Sequence, residues 1–135
     1  MFHTPPVMDF GDVVADLCLY LRGSEFLPGV RVATDLTRYQ RGDRVVVLER
    51  AGGTRDRFVD RAYLIGEARG RNPDDAYSIA QAARSLIWSC TGHVEGVTAV
   101  DENAGLVRMF DQVTEDVFYR WSATVSRKGK PMIAP

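Results

Sequence analysis

Residues 44–86 read RVVVLERAGGTRDRFVDRAYLIGEARGRNPDDAYSIAQAARSL, and they decide the architecture. Val45 to Leu48 is an apolar run rich in β-branched residues, and 58–65 is a second apolar-rich run. Two such runs around a glycine pair predict a β-hairpin with strands at 44–51 and 58–69. A two-residue Gly52-Gly53 turn sets Arg50 opposite Arg55 and Glu49 opposite Asp56, and like charges directly opposite each other repel. A three-residue loop, Gly52-Gly53-Thr54, instead pairs Arg50 with Asp56, Glu49 with Arg57 and Leu48 with Phe58. The sequence favours that register, with a glycine supplying the positive φ of the bulge. The second strand alternates Arg61, Tyr63, Ile65 and Glu67 with Ala62, Leu64, Gly66 and Ala68. Small residues on the latter face let a helix lie close to the sheet.

That helix is announced by its own start signals. Asn72 is a good N-cap, Pro73 suits the first helical position, and Asp74 and Asp75 lie where acids favour the helix dipole. Ala76, Ile79, Ala80, Ala83, Leu86, Ile87 and Cys90 recur at three- and four-residue steps and form one apolar stripe. Gly92 is the expected stop.

Upstream, residues 1–6 form a short proline-bearing start, and a first helix is expected over 9–22. Asp9 is its expected cap, and Met8 and Val13 have the spacing of a hydrophobic staple. Val13, Val14, Leu17, Cys18 and Leu21 make the stripe and Gly23 ends it. Pro28-Gly29 turns the chain into a strand at 30–36, and a polar loop at 37–43 leads into the hairpin. Downstream, 97–100 has strand character. Residues 106–110 are either a second strand, hairpinned through Asn103-Ala104-Gly105, or part of a long loop. The last strand alternates Val117, Tyr119, Trp121, Ala123 and Val125 with Phe118, Arg120, Ser122, Thr124 and Ser126. Residues 127–135 lack periodicity, and 128–135 are expected to be a mobile tail. The expected fold is therefore one α+β domain over 1–135, with its core at about 9–127. Its order is α-β-β-β-α-β-β, a mainly antiparallel sheet with two helices packed on one face.

Composition narrows the function. The 135 residues carry 17 basic and 18 acidic groups, a formal charge of −1, which argues against a dedicated nucleic-acid binder. Fifteen of the bases are arginine, a bias attributable to genome composition, and both lysines, Lys128 and Lys130, lie near the C-terminal end. Cys18 and Cys90 fall on helix stripes and are expected as buried, reduced thiols. With no apolar run approaching 18 residues and no signal peptide, synthesis and folding in a cytoplasm are expected, without membrane contact.

Chemistry is sparse. Cys90-Thr91-Gly92-His93 offers two metal ligands, but a structural zinc wants four and no second pair accompanies them; His3 is the only other histidine. Asp60, Glu67 and Arg69 loosely resemble a nuclease cluster, with loose spacing and without a lysine. No nucleophile elbow surrounds Ser78, Ser85 or Ser89, and no glycine-rich phosphate loop is present. No enzymatic activity and no cofactor are expected. Arg38, Arg41, Arg44, Arg50, Arg55 and Arg57 gather positive charge if their turns share one end of the sheet, although Asp43, Glu49 and Asp56 dilute it. In the favoured register Arg55 lies opposite Ala51 without an acid. Arg38, Arg41, Arg50, Arg55 and Arg57 are candidate interface residues, together with Phe118, an apolar residue on a polar strand face whose expected cover is either a loop or a neighbouring subunit.

The ordered motifs resemble one family. They are "VVADLCLYLR", "PGVRVATDL", "RVVVLERAGGTRDRFVDRAYLIGEARG", "DDAYSIAQAARSLI", "GVTAVDENAG" and "VFYRWSATVSRKG". Each motif is weak alone; as an ordered set over about residues 10–129 they resemble the tail terminator, or tail completion, proteins of long-tailed bacteriophages. The stretch "MFDQVTEDV" departs from the family, where a proline-rich loop is expected. The resemblance implies a virion structural protein at the neck that caps the finished tail tube as a ring, of six subunits. It implies the tail tube protein and a head-tail connector or head-completion protein as partners, with DNA passing through the ring without tight binding. Two alternatives stand beside it: a neck or head-completion connector, and a small ligand-binding or enzymatic α+β domain.

Overall fold

The computed structural model describes residues 6–134. Its elements are β1 (Met8–Asp9), α1 (Val13–Arg22), β2 (Arg31–Ala33), β3 (Val45–Arg55), β4 (Val59–Arg69), α2 (Pro73–Trp88), β5 (Val97–Asp111), β6 (Asp116–Lys128) and β7 (Lys130–Pro131). Five strands form one sheet in the order β2-β3-β4-β6-β5. Only the β2–β3 pair is parallel. The fold class and element order are those expected, with β1 and β7 added as a small antiparallel pair that ties the two ends of the chain together.

α2 starts as its sequence dictates: the Asn72 side chain accepts a hydrogen bond from the Asp75 amide at 2.8 Å, and Pro73 opens the helix. Ala76, Ile79, Ala80, Ala83 and Ile87 are buried, while Leu86 is only half-buried. The helix stops at Trp88, earlier than Gly92, because Ser89 closes the last turn onto the carbonyls of Ser85, Leu86 and Ile87. α1 is shorter than expected. Its cap is Asp12, whose side chain accepts from the Ala15 amide at 3.1 Å. Asp9 instead accepts from the Gly11 amide within the entry turn, and Met8 pairs with Pro131 in β1–β7; with Asp12 as the cap, Met8 and Val13 no longer occupy the staple positions.

The β3–β4 hairpin departs from the expected register. Leu48 pairs with Gly66, not Phe58, and Arg50 pairs with Leu64, not Asp56. Gly52-Gly53 is no turn: it lies inside β3 at a bulge, where the pairing shifts between Arg50 and Gly53. Both glycines have positive φ, and a Cβ on Gly53 would stand 2.0 Å from the Arg61 carbonyl oxygen. The reversal comes later, at Asp56. Its side chain accepts the amides of Phe58 and Val59, each at 2.8 Å, while its own amide bonds the Val59 carbonyl at 3.0 Å. A side-chain-closed aspartate turn competes directly with a glycine turn, and here the bulge absorbs the glycines instead.

Three other expectations change. Residues 97–111 form one strand running straight through Asn103-Ala104-Gly105, with three register irregularities against β6. The extra length is accommodated by bulges and not by a hairpin. The 128–131 segment is ordered, with Lys128 ending β6 and Lys130–Pro131 pairing with Met8–Asp9; Pro135 lies outside the described residues. Strand β2 also covers only Arg31–Ala33 of the expected 30–36.

Both helices lie on the sheet face carrying Val46, Leu48, Ala62, Leu64, Ala68, Trp121 and Val125, and with Leu17, Leu21, Ile79, Ala83 and Ile87 these form the core. Burying each large aliphatic or aromatic side chain there contributes about 1.5–3 kcal/mol. The small residues of β4 matter as expected, though partly for a side chain: the Trp121 indole fills the space over Gly66, where a Cβ would meet it at 2.4 Å.

Candidate interaction surfaces

The end of the sheet at Arg69 is organised by a buried guanidinium. Arg69 ends β4 with 2 % of its surface exposed. It donates to Asp116 at 3.0 Å, Asp111 at 3.0 Å and Thr114 at 3.2 Å, with Glu67 at 3.8 Å. Its planar group lies over the rings of Phe118 and Tyr39, 4.3 and 5.0 Å from their centroids. This explains Phe118, the odd apolar residue on a polar face: it is buried within the chain, under Arg69, and is not an exposed interface residue. Tyr39 also donates to Asp116, so the 37–43 loop is fastened to the start of β6. Burial first, and then the Asp116 carboxylate, push the Tyr39 hydroxyl up to about 12. Burial also raises Glu67, against the pull of Arg69.

Asp111 serves two purposes. It accepts from Arg69, and it closes the β5–β6 turn by accepting the amides of Val113 at 2.9 Å and Thr114 at 3.2 Å. Those backbone bonds and then Arg69 hold its carboxyl below the usual carboxylate range. Glu115, in the left-handed region at φ 58°, completes the turn through its amide to the Asp111 carbonyl at 2.8 Å. The result is a fastened tip that presents Val113, 92 % exposed, beside Phe110, 61 % exposed.

The candidate arginines do not form one patch. Residues 37–43, carrying Arg38 and Arg41, sit at the Arg69 end of the sheet, whereas Arg55 and Arg57 sit at the opposite end, where Val59 pairs with Lys128. Arg44 is taken up by Asp75, at 3.1 Å, and by the Pro28 carbonyl at 2.8 Å. Arg50 forms a two-pronged pair with Asp60 at 2.6 and 2.8 Å, not with Asp56. Asp56 is used by its own turn and by Arg61. Arg55 is no free tip residue: it pairs in register with Asp60 and lies over the Phe10 ring at 4.8 Å. Arg57 is exposed, with no ion pair among the described residues.

The loose nuclease-like set is dispersed. Asp60 lies at one end of β4, on the helix-side face and paired to Arg50, while Glu67 and Arg69 lie at the other end on the far face. Cys90 is buried and its thiol is pushed up to about 11 by burial. His93 is exposed and stacks on Tyr20 at 5.8 Å, and His3 lies outside the described residues. Among the described residues no group of three or more histidine, cysteine or carboxylate side chains gathers around a common point.

One large concavity among the described residues was announced by no sequence motif. It is an open groove of about 830 Å³ on the outer side of the helices, lined by Leu19, Tyr20, Phe26, Ala82, Leu86 and His93 among others. Leu19 and Phe26 stand 63 % and 66 % exposed. The signal was present in part: Leu19 lies off the buried stripe of α1 and Phe26 follows the helix, so each is an apolar residue without a place in the core. The groove and the tip are two of the places where large apolar residues stand exposed; Val7, Phe58, Trp88, Met132 and Ile133 stand exposed outside them. Contiguous patches mark interaction sites more often than scattered residues do. No family model matches the chain, and a search of curated proteins finds no relative.

Proposed function

We propose that this chain is a non-enzymatic virion component that self-associates, capping the head-proximal end of a bacteriophage tail tube as a ring, six subunits in number. The ordered motif set carries the reading, since it runs over nearly the whole chain in the order the resemblance implies. Two features on the surface support it. A fastened tip exposes Phe110 and Val113 and a groove exposes Leu19 and Phe26, apolar surface that an assembling subunit can cover. The charged side chains near the sheet are largely consumed in internal pairs, Arg50 with Asp60, Arg44 with Asp75 and Arg69 with Asp111 and Asp116, and not arrayed around a reactive centre. Partners on this reading are the tail tube protein and a head-tail connector. DNA passes through the ring without being gripped.

The test is to tag the protein in a phage that encodes it, purify tails and find where the tag sits. Label at one end of the tail, next to the head, is expected. Tails that lack the protein, or carry it along their length, overturn the reading. A connector role is separated by the same images, because a connector remains with tail-less heads.

A further inference from the structure

We propose that two copies of this chain meet by seating the β5–β6 tip of one in the α1/α2 groove of the next. This names the contact within the self-association proposed above, and it rests on that reading. The tip exposes Val113 and Phe110, with Gln112 and Glu115 as its polar exposed residues; the groove is concave and apolar, with Leu19, Phe26 and Leu86 in its wall. The charges match as well. Arg108 lies two residues before Phe110, hence on the same face of β5, and it is exposed with no ion pair among the described residues. Glu25 lines the groove beside Phe26 and is equally exposed and unpaired among the described residues. An arginine free at the knob and a carboxylate free at the hole are complementary.

The tip is also built before it binds. Asp111 closes the turn with two amide bonds, and Arg69 holds Asp111 from the sheet. A knob that is already ordered loses little conformational entropy on docking. Other modes of self-association use the surface less well. Groove against groove leaves Val113 in water and Arg108 without a partner. Strand addition along the outer edge of β5 meets its three register irregularities and the exposed charge of Asp101, features that blunt an edge. Tip into groove joins two different patches, so each copy keeps one of each free, and repetition gives a ring or a filament.

The experiment is sedimentation velocity across a concentration series, with the full chain and five variants, each checked for an unchanged melting temperature. Wild-type protein is expected to gain mass with concentration. Arg108→Glu and Glu25→Arg are each expected to weaken association about tenfold or more, equivalent to about 1.4 kcal/mol, and the double reversal on one chain to recover it. Val113→Asp and Leu19→Asp each spoil one surface and spare the other, so each alone stays monomeric. Mixed together they should form a one-to-one dimer and nothing larger. Failure of the double reversal to recover, or normal association of Val113→Asp, overturns the contact. Wild-type protein that stays monomeric throughout overturns it too. Tails still capped by Val113→Asp protein would overturn the contact and leave the tail-capping reading standing, whereas wild-type protein absent from tail ends would overturn that reading itself.

Discussion

Replacing Arg69 with methionine should be the most damaging single change on the sheet. The side chain is almost fully buried and faces three carboxylates, Asp111, Asp116 and Glu67, with Thr114 and two aromatic rings completing its surroundings. Methionine approximates the length of the aliphatic stem but leaves Asp111 and Asp116 without their cation. Breaking a buried pair by removing one partner costs about 3–5 kcal/mol, because the remaining charge stays desolvated. Asp111 and Asp116 are part-exposed and retain some water, which puts the expectation at about 3 kcal/mol, the lower end of that range. Urea denaturation reads it directly. With a slope of about 2 kcal/mol/M, the midpoint should fall by about 1.5 M. Arg69→Lys should fall between the two, since an ammonium keeps the charge but loses the fork and the flat stacking on Phe118. A loss under about 1 kcal/mol for Arg69→Met would refute the reasoning, because a change that small is what an exposed ion pair gives. The tip gives a second readout. Amide exchange at Val113 and Thr114 should speed up in Arg69→Met beyond the change in global stability, since Asp111 loses its anchor.

Gly53→Ala should destabilise by more than about 2 kcal/mol, because the new Cβ meets the Arg61 carbonyl oxygen and φ is positive, whereas Gly52→Ala, with open space around it, should cost only about 1 kcal/mol of backbone strain; equal melting temperatures for the two would contradict the bulge. Asp56, Asp60 and Asp111 have carboxyls held below their ordinary 3.8, by backbone amides at Asp56 and Asp111 and by Arg50 at Asp60. A depressed folded pKa gives stability that is present above about pH 4 and lost as pH falls through the folded values. Glu67 runs the other way: burial raises it, so its penalty at neutral pH is relieved as pH falls through its folded value, and melting temperature should hold or rise slightly toward pH 5 before dropping below pH 4. A melting temperature that declines steadily from pH 7 would count against this. Arg55→Glu should cost about 1 kcal/mol through the lost Phe10 contact and a new carboxylate facing Asp60. Arg57→Glu, on an exposed side chain, should stay within about 0.5 kcal/mol, and thermal melts of the pair decide between the observed register and one in which Arg55 is free.

What could be read in the sequence was what depends on neighbours in the chain. Asn72, Pro73 and the alanine stripe specify α2 within one helix length, and the alternation in β4 and β6 specifies which face each residue takes. Register depends on partners far along the chain and on which of several turn-formers closes the hairpin. Gly52-Gly53 and Asp56 both fit a reversal. The choice fell to Asp56 because closing there extends β3 to Arg55 and β4 from Val59, which adds ladder bonds and lets Arg50 reach Asp60 with both prongs. A charge-matching rule applied to directly opposite residues could not find that pair: a long arginine crosses a bulge to reach a residue that the ladder does not set opposite it.

The same limit explains the interface residues. Phe118, with polar strand neighbours Arg120 and Ser122, called for cover by a loop or by another subunit; the cover comes from within the chain, from the Arg69 guanidinium at the end of β4. Conversely, Leu19 lies off the α1 stripe and Phe26 follows the helix, so the chain hints that neither has a core place, but only the fold sets them in the wall of one groove, with Leu17 and Leu21 turned inward. The tip follows the same logic. Asp111 and Asp116 are bound inward by Arg69 and by turn amides, so the tip offers Phe110 and Val113 to water beside the polar Gln112 and Glu115. Burying charge behind a turn and leaving valine in front is costly for an isolated domain and sensible for one that meets another surface. This is why the tip, and not the arginine-bearing hairpin, is the place to look first for the contact between copies.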